Sequence, residues 1–270
     1  MLTLDELKQL VDSEYPTANA NRETNNIYAG GHGGGMDITP AAQQSTDMRW
    51  LLARRLVRED RYQAARPYFP AKIQPILDQY TTLLGKVEKA GSKPEKADAL
   101  WKTAQLTRDS GMELMGLEME PDAFIWEGNF EELPVAQGRE RGRAITITYE
   151  YKRDAQGNDE EVEVPQESSL TVPATTDERK RLGKTHIVPE KRFHYRYLAA
   201  GLAWKAALLM PDNDEQTATV LNTAGCWLKD HDDKAADRFY EALATRCAET
   251  PTGREAIKRH WFVPLPDPPQ

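Results

Sequence analysis

Apolar residues recur at spacings of three and four along much of this chain, which is the spacing of one face of an α-helix. Near the start, Leu4, Leu7, Leu10 and Val11 share such a face, and Thr3 with Glu6 forms a capping-box pattern. The pattern therefore predicts a first helix over residues 4–14. The same spacing predicts a second helix that begins at residue 47. Six more are predicted over residues 73–89, 94–110, 191–210, 214–229, 233–250 and 253–260.

Prolines and glycines set the expected helix ends. Pro67 and Pro70 predict a break in the helix that begins at residue 47, because proline lacks a backbone donor and crowds the preceding turn. Gly111 is expected to end the helix that begins at Pro94, and Pro211 to end the one that begins at Lys191.

One central stretch has the period of a β-strand instead. Apolar and polar residues alternate over residues 144–151, and a polar turn separates them from a second short alternation at residues 161–164. The pair predicts a β-hairpin, to which residues 170–172 add a possible third strand. A hairpin alone is marginal in water, so its apolar side is expected to pack on the helices or on a partner.

These patterns divide the chain into five parts. Residues 1–46 hold the first helix and a Gly- and Asn-rich linker, and residues 47–135 form a helical region. Residues 136–175 hold the hairpin, residues 176–262 a second helical region, and residues 263–270 a Pro-rich tail that favours an extended conformation.

Two segments resemble the tetratricopeptide repeat, a helix pair that carries small residues where its helices touch. In residues 49–70 the small positions hold Ala53 and Ala65, and in residues 221–243 they hold Ala235 and Ala242. Residues 99–116 resemble the related Sel1-like repeat more loosely. The resemblance implies a mainly α-helical protein, either a helix-pair α-solenoid or an irregular helical array, with an inserted β-hairpin.

Composition and charge restrict the partners. Charged residues make up 29% of the 270 residues, and no apolar run is long enough to span a bilayer. No secretory signal is visible, and two cysteines are too few for a disulfide scaffold, so a cytoplasmic location is expected. The net charge of −8 disfavours nucleic acid as a partner, because nucleic-acid binding usually needs a basic face.

No motif predicts catalysis. His32 and the three glycines after it match the oxyanion loop of some esterases, but the chain has no Gly-x-Ser-x-Gly nucleophile motif. The histidines and cysteines lack zinc-site spacing, so neither a metal nor a cofactor is predicted. Residues 191–197 mix cations with aromatics, which suits an anionic partner, although helical spacing favours a core helix with Phe193 and Tyr197 inside and Tyr195 exposed.

The resemblance implies a function as a protein-interaction scaffold. In tetratricopeptide arrays the first helix of each repeat lines a concave groove that receives peptides, and here Trp50, Arg54 and Arg58 would face that groove. We expect them to contact an acidic or C-terminal peptide segment of a protein partner. The alternative is an enzyme or accessory subunit whose site joins the glycine-rich loop to the helical face.

Overall fold

The protein is mainly α-helical, as the periodicity predicts. The computed structural model describes residues 2–15, 40–116, 141–153, 159–169, 172–184, 188–191, 193–230 and 232–266. Within these residues the helices are α1 (Leu4–Glu14), α2 (Pro40–Arg58), α3 (Tyr62–Ala65), α4 (Gln74–Lys89), α5 (Lys93–Met115), α6 (Thr176–Leu182), α7 (His194–Ala207), α8 (Glu215–Cys226), α9 (Asp233–Arg246) and α10 (Pro251–Arg259). Strands β1 (Arg143–Arg153) and β2 (Asp159–Ser169) form a two-stranded sheet.

Side-chain caps explain why several helices begin where they do. In α1 the Glu6 N–H donates to the Thr3 hydroxyl at 3.4 Å, and the Thr3 N–H donates to the Glu6 carboxylate at 2.8 Å. This reciprocal pair confirms the predicted capping box. A side chain at the N-cap position also accepts a hydrogen bond from the first turn in five later helices, through Ser92, Thr175, Asp214, Asp232 and Thr250.

Some predicted boundaries differ from those observed. Helix α2 begins at Pro40, inside the segment predicted as linker, because proline is well suited to the first turn of a helix. Helix α5 continues through Gly111 to Met115, although Gly111 was expected to end it. Helix α6 was not predicted. The break predicted near Pro67 and Pro70 is present as a 3₁₀ turn over Arg66–Tyr68, but α2 already ends at Arg58, ahead of the short α3.

The packing of α7 against α5 requires a residue without a side chain at position 111. A Cβ placed on Gly111 would lie 2.5 Å from Cδ2 and 2.6 Å from Cβ of Tyr195. The absence of a side chain therefore lets the start of α7 approach the backbone of α5. On the rest of α7 the side chains of Ala199, Ala200 and Ala203 are fully buried, which permits the same close approach.

Helix α5 is central to the packing. It lies against α2, α4 and α7, and the helices that follow pack in chain order, α7 on α8, α8 on α9 and α9 on α10. The largest fully buried side chains of this core are Phe193, Phe239, Leu52, Leu56, Leu77, Leu114, Leu221, Leu228 and Leu243. None of the helices within the described residues is both long enough and apolar enough to cross a membrane.

The hairpin is present and is longer than predicted. Its strands pair antiparallel, with Thr148 opposite Val164 and a hydrogen bond of 3.0 Å from the Thr148 hydroxyl to the Val164 carbonyl. The strands pack mainly on each other. Tyr151 is 72% exposed, so this member of the expected apolar stripe is not covered by the helices.

Some expectations fall on residues that the structure does not describe. The glycine-rich segment around His32 and most of the linker lie outside the described residues, as do two residues of the possible third strand. Val172, the described residue of that strand, is 69% exposed and is not in a strand.

Candidate functional site

The three residues predicted to bind a peptide lie together on α2 and contact the C-terminal end of α5. The Trp50 Nε1–H donates to the Glu113 carbonyl at 2.8 Å, and the Arg54 Nε–H donates to the same oxygen at 3.4 Å. The Arg58 Nη1 donates to the Gly116 carbonyl at 2.6 Å. Because the last carbonyls of a helix have no partner within it, these side chains cap the C-terminus of α5.

Burial separates the roles of these residues. Trp50 is only 7% exposed, and the Arg54 guanidinium lies 4.1 Å from the centre of its ring. At this distance the contact is a cation–π interaction that holds Arg54 against the indole. Arg54 and Arg58 are half-buried. Trp50 therefore positions Arg54, and Arg54 and Arg58 remain partly exposed.

Two further arginines extend this positively charged region onto α5 and α7. Arg108 of α5 is half-buried, and its Nε atom is buried without a hydrogen-bond partner. Burial lowers the pKa of Arg108, and the positive charge of Arg196 lowers it further. Arg196 of α7 lies 5.2 Å from the ring of Phe193 and donates from Nε to the Tyr195 hydroxyl at 3.4 Å.

His194, the first residue of α7, lies among these charges. His194 is 1% exposed, and neither Nδ1 nor Nε2 of its ring has a hydrogen-bond partner among the described residues. Burial lowers the pKa of His194 to about 3, with a smaller contribution from the positive charge of Arg58. The imidazole is therefore neutral at pH 7. Its ring meets Tyr195 edge-on, with the ring centroids 6.5 Å apart.

The start of α7 contributes positive charge of its own. Phe193 adopts the left-handed conformation with φ of 53° and directs the chain into the helix, and no side chain caps this N-terminus. The partial positive charge of the helix end therefore adds to that of the arginines. We call Arg54, Arg58, Arg108, Arg196 and His194 together the arginine cluster.

The arginine cluster has the chemistry of an anion-binding site. Guanidinium groups form paired hydrogen bonds with carboxylates and phosphates, and the N–H groups of a helix N-terminus also favour anions. The backbone carbonyl of Glu113 accepts from Trp50 and Arg54, and the Oε2 atom of the Glu113 side chain is buried. The cluster is local, because the whole chain carries a net charge of −8.

Sequence reasoning identified only part of this cluster. The mixture of cations and aromatics at residues 191–197 was a signal for His194 and Arg196, but it was assigned to a core helix. Phe193 is buried as expected. The prediction that Tyr195 is exposed is wrong, since it is 5% exposed because its ring fills the space above Gly111. Nothing in the sequence marked Arg108.

Other chemistry-bearing residues in the described part of the chain form no comparable site. No group of three or more His, Cys, Asp or Glu side chains among the described residues is placed to hold a metal ion. Burial raises the pKa of the Cys226 thiol to about 11, which disfavours a reactive thiolate. An open groove of about 610 Å³ between α4 and α5 is lined by both Lys86 and Glu95, so it has no single sign of charge.

Comparison with known proteins identifies no relative of this chain. No protein family matches it. No curated protein and no solved structure matches it either.

Proposed function

We propose that this protein is a helical binding module that captures an acidic peptide segment of a protein partner at the arginine cluster. The observation that supports the proposal is the concentration of Arg54, Arg58, Arg108 and Arg196 around the C-terminal half of α5 in a chain of net charge −8. An acidic segment complements this charge, and electrostatic attraction also accelerates its encounter with the protein.

Within this proposal the residues of α2 have distinct tasks. Trp50 is held by the Glu113 carbonyl and fixes the plane on which Arg54 rests. Arg54 and Arg58 present charge at the surface while they are anchored to carbonyls of α5. Preorganised side chains lose less conformational entropy on binding than mobile ones do. The resemblance to tetratricopeptide repeats favours a scaffold role, although the helix that follows α2 has only four residues and the α2 side chains bind the end of α5.

A charge-reversal experiment tests the proposal. The probe is a fluorescein-labelled peptide of alternating Glu and Ser residues, and binding is measured by fluorescence polarisation in low salt. We expect Arg54→Glu together with Arg58→Glu to weaken binding by roughly tenfold or more, about 1.4 kcal/mol, because attraction becomes repulsion. Added salt should weaken wild-type binding, because the interacting charges are partly exposed.

The matched control is Lys86→Glu together with Lys89→Glu, which makes the same change in net charge on exposed residues of α4. This variant should bind as wild type does. Because Arg54 and Arg58 also cap α5, circular dichroism must show that the reversed variant remains helical. If it does not fold, the pair Arg54→Lys and Arg58→Lys replaces it, and that pair should weaken binding because lysine cannot form paired hydrogen bonds. Equal binding by folded cluster variants and control overturns the proposal.

A further inference from the structure

We propose that the inner part of the arginine cluster, formed by Arg108 of α5 and His194 at the start of α7 on two helices that pack together, binds a phosphate group carried by the partner peptide. This inference rests on the proposed function and specifies the chemistry of the peptide. It is carried by two buried polar groups on different helices, the Arg108 Nε and the His194 ring, which lack hydrogen-bond partners.

The two unsatisfied groups share one neighbour, Tyr195. Arg108 is close enough to Arg196 and Tyr195 for their charges to affect its pKa. The His194 ring lies against Tyr195, and Arg58 is close enough to lower the pKa of His194. A buried polar group without a partner is costly, so two such groups at one junction point to a ligand that supplies acceptors.

Helix α7 adds donors of its own. It spans His194–Ala207, and its N-cap residue Phe193 provides no side-chain hydrogen bond. The first N–H groups of a helix generally have no partner within it, although that of Arg196 here donates to the Phe193 carbonyl at 2.8 Å, and the helix dipole favours negative charge at this end. Phosphate groups bind at helix N-termini for these reasons. This N-terminus differs from the uncapped starts of α3 and α4 in that a buried imidazole lies at its first residue.

The amount of positive charge favours a phosphate over a carboxylate. The charge of Arg58 acts on His194, and that of Arg196 acts on Arg108, where Asp109 opposes it; the helix end adds a further partial positive charge. A phosphate monoester carries a charge of about −1.5 to −2 at pH 7 and three strong acceptor oxygens, whereas a carboxylate carries −1 and two oxygens. The three oxygens match guanidinium donors, helix N–H groups and an imidazole N–H.

Three probes test the inference by fluorescence polarisation. They are an acidic peptide with a central phosphoserine, the same peptide with serine, and inorganic phosphate as a competitor. We expect the phosphoserine peptide to bind roughly tenfold more tightly than the serine peptide. Inorganic phosphate should displace it at millimolar concentrations. Chemical shifts of the His194 ring, assigned with His194→Gln, should change on addition of inorganic phosphate.

Arg108→Gln should weaken the phosphoserine peptide by roughly tenfold and the serine peptide by clearly less, so that the preference for the phosphoserine peptide falls. The matched control is Lys96→Gln, which removes one exposed positive charge from the same helix and should change neither affinity. Circular dichroism confirms that both variants fold. Equal affinity for the two peptides overturns the phosphate inference but leaves the proposed function intact. If neither peptide binds while inorganic phosphate shifts His194, the phosphate site stands and peptide capture is overturned. If phosphate neither competes nor shifts His194, the inference is overturned.

Discussion

The close contact between Gly111 and Tyr195 gives a sharp test of how α5 and α7 pack. In Gly111→Ala the new Cβ would lie 2.5 Å from Cδ2 and 2.6 Å from both Cβ and Cγ of Tyr195. These atoms are at the base of the tyrosine side chain, so a rotation of the ring cannot relieve the clash. The start of α7 must instead move away from α5.

Two opposing effects set the size of the change. Alanine favours the helix interior over glycine by about 1 kcal/mol. Overpacking of a close contact typically costs about 1 to 3 kcal/mol, and an immobile contact atom places this case near the upper end. We therefore expect Gly111→Ala to lower the free energy of unfolding by about 2 kcal/mol.

The control is Gly201→Ala in α7, where a Cβ would meet no atom within 4 Å. Only the propensity effect applies there, so this variant should gain about 1 kcal/mol, and the two variants should differ by about 3 kcal/mol. Urea unfolding followed by circular dichroism measures both values. If Gly111→Ala is as stable as Gly201→Ala, the packing account is wrong.

Two further predictions concern buried polar groups. Asp232 accepts hydrogen bonds from Lys191 at 2.6 Å and Tyr197 at 2.7 Å; burial raises the pKa of its carboxyl, but these bonds outweigh burial and hold the pKa below its usual range. Asp232→Asn should therefore lower the free energy of unfolding by about 1 to 2 kcal/mol at pH 7. This loss should shrink below about pH 4 as the wild-type carboxylate is protonated, and a constant loss in urea titrations at several pH values would contradict the prediction. Replacing His194 by phenylalanine removes an unsatisfied buried ring and should stabilise the protein by about 1 to 2 kcal/mol at pH 7. Because burial lowers the pKa of His194 to about 3, the unfolded chain binds more protons than the folded protein between about pH 6.5 and 3. The gain in the free energy of unfolding from His194→Phe should therefore grow as the pH falls, and a gain that does not change with pH would refute this.

The helices were largely predictable because their signals are local. Thr3 and Glu6 fix the start of α1, and the apolar spacing after them gives its length. The prolines after Arg66 give the break that separates α3 from α4. Helix α6 shows that the same signal was overlooked elsewhere, because Thr175 accepts a hydrogen bond from the Glu178 N–H at 3.0 Å in the same spacing.

Features that depend on contacts between distant segments were not predictable in this way. Gly111 lies inside α5 and not at its end, and the space that a side chain there would need is filled by Tyr195, which is far away in the sequence. The role of Trp50 depends likewise on the carbonyl of Glu113. Periodicity identifies the face of a helix but not its partner, so the arginines of α2 were recognised while Arg108 was not.

A binding role for the arginine cluster also accounts for a buried, unsatisfied His194 ring at the edge of a well-packed core. Helices α7 and α8 bury alanines such as Ala203 and Ala224 completely, and their packing does not require a polar residue at position 194. A neutral imidazole without partners lowers stability there, and an apolar ring would avoid that cost. A residue that weakens the fold where positive charges converge is better accounted for by a ligand than by packing. On this reasoning His194→Phe should gain stability and lose the preference for phosphoserine, and the two effects together distinguish a binding role from a purely structural one.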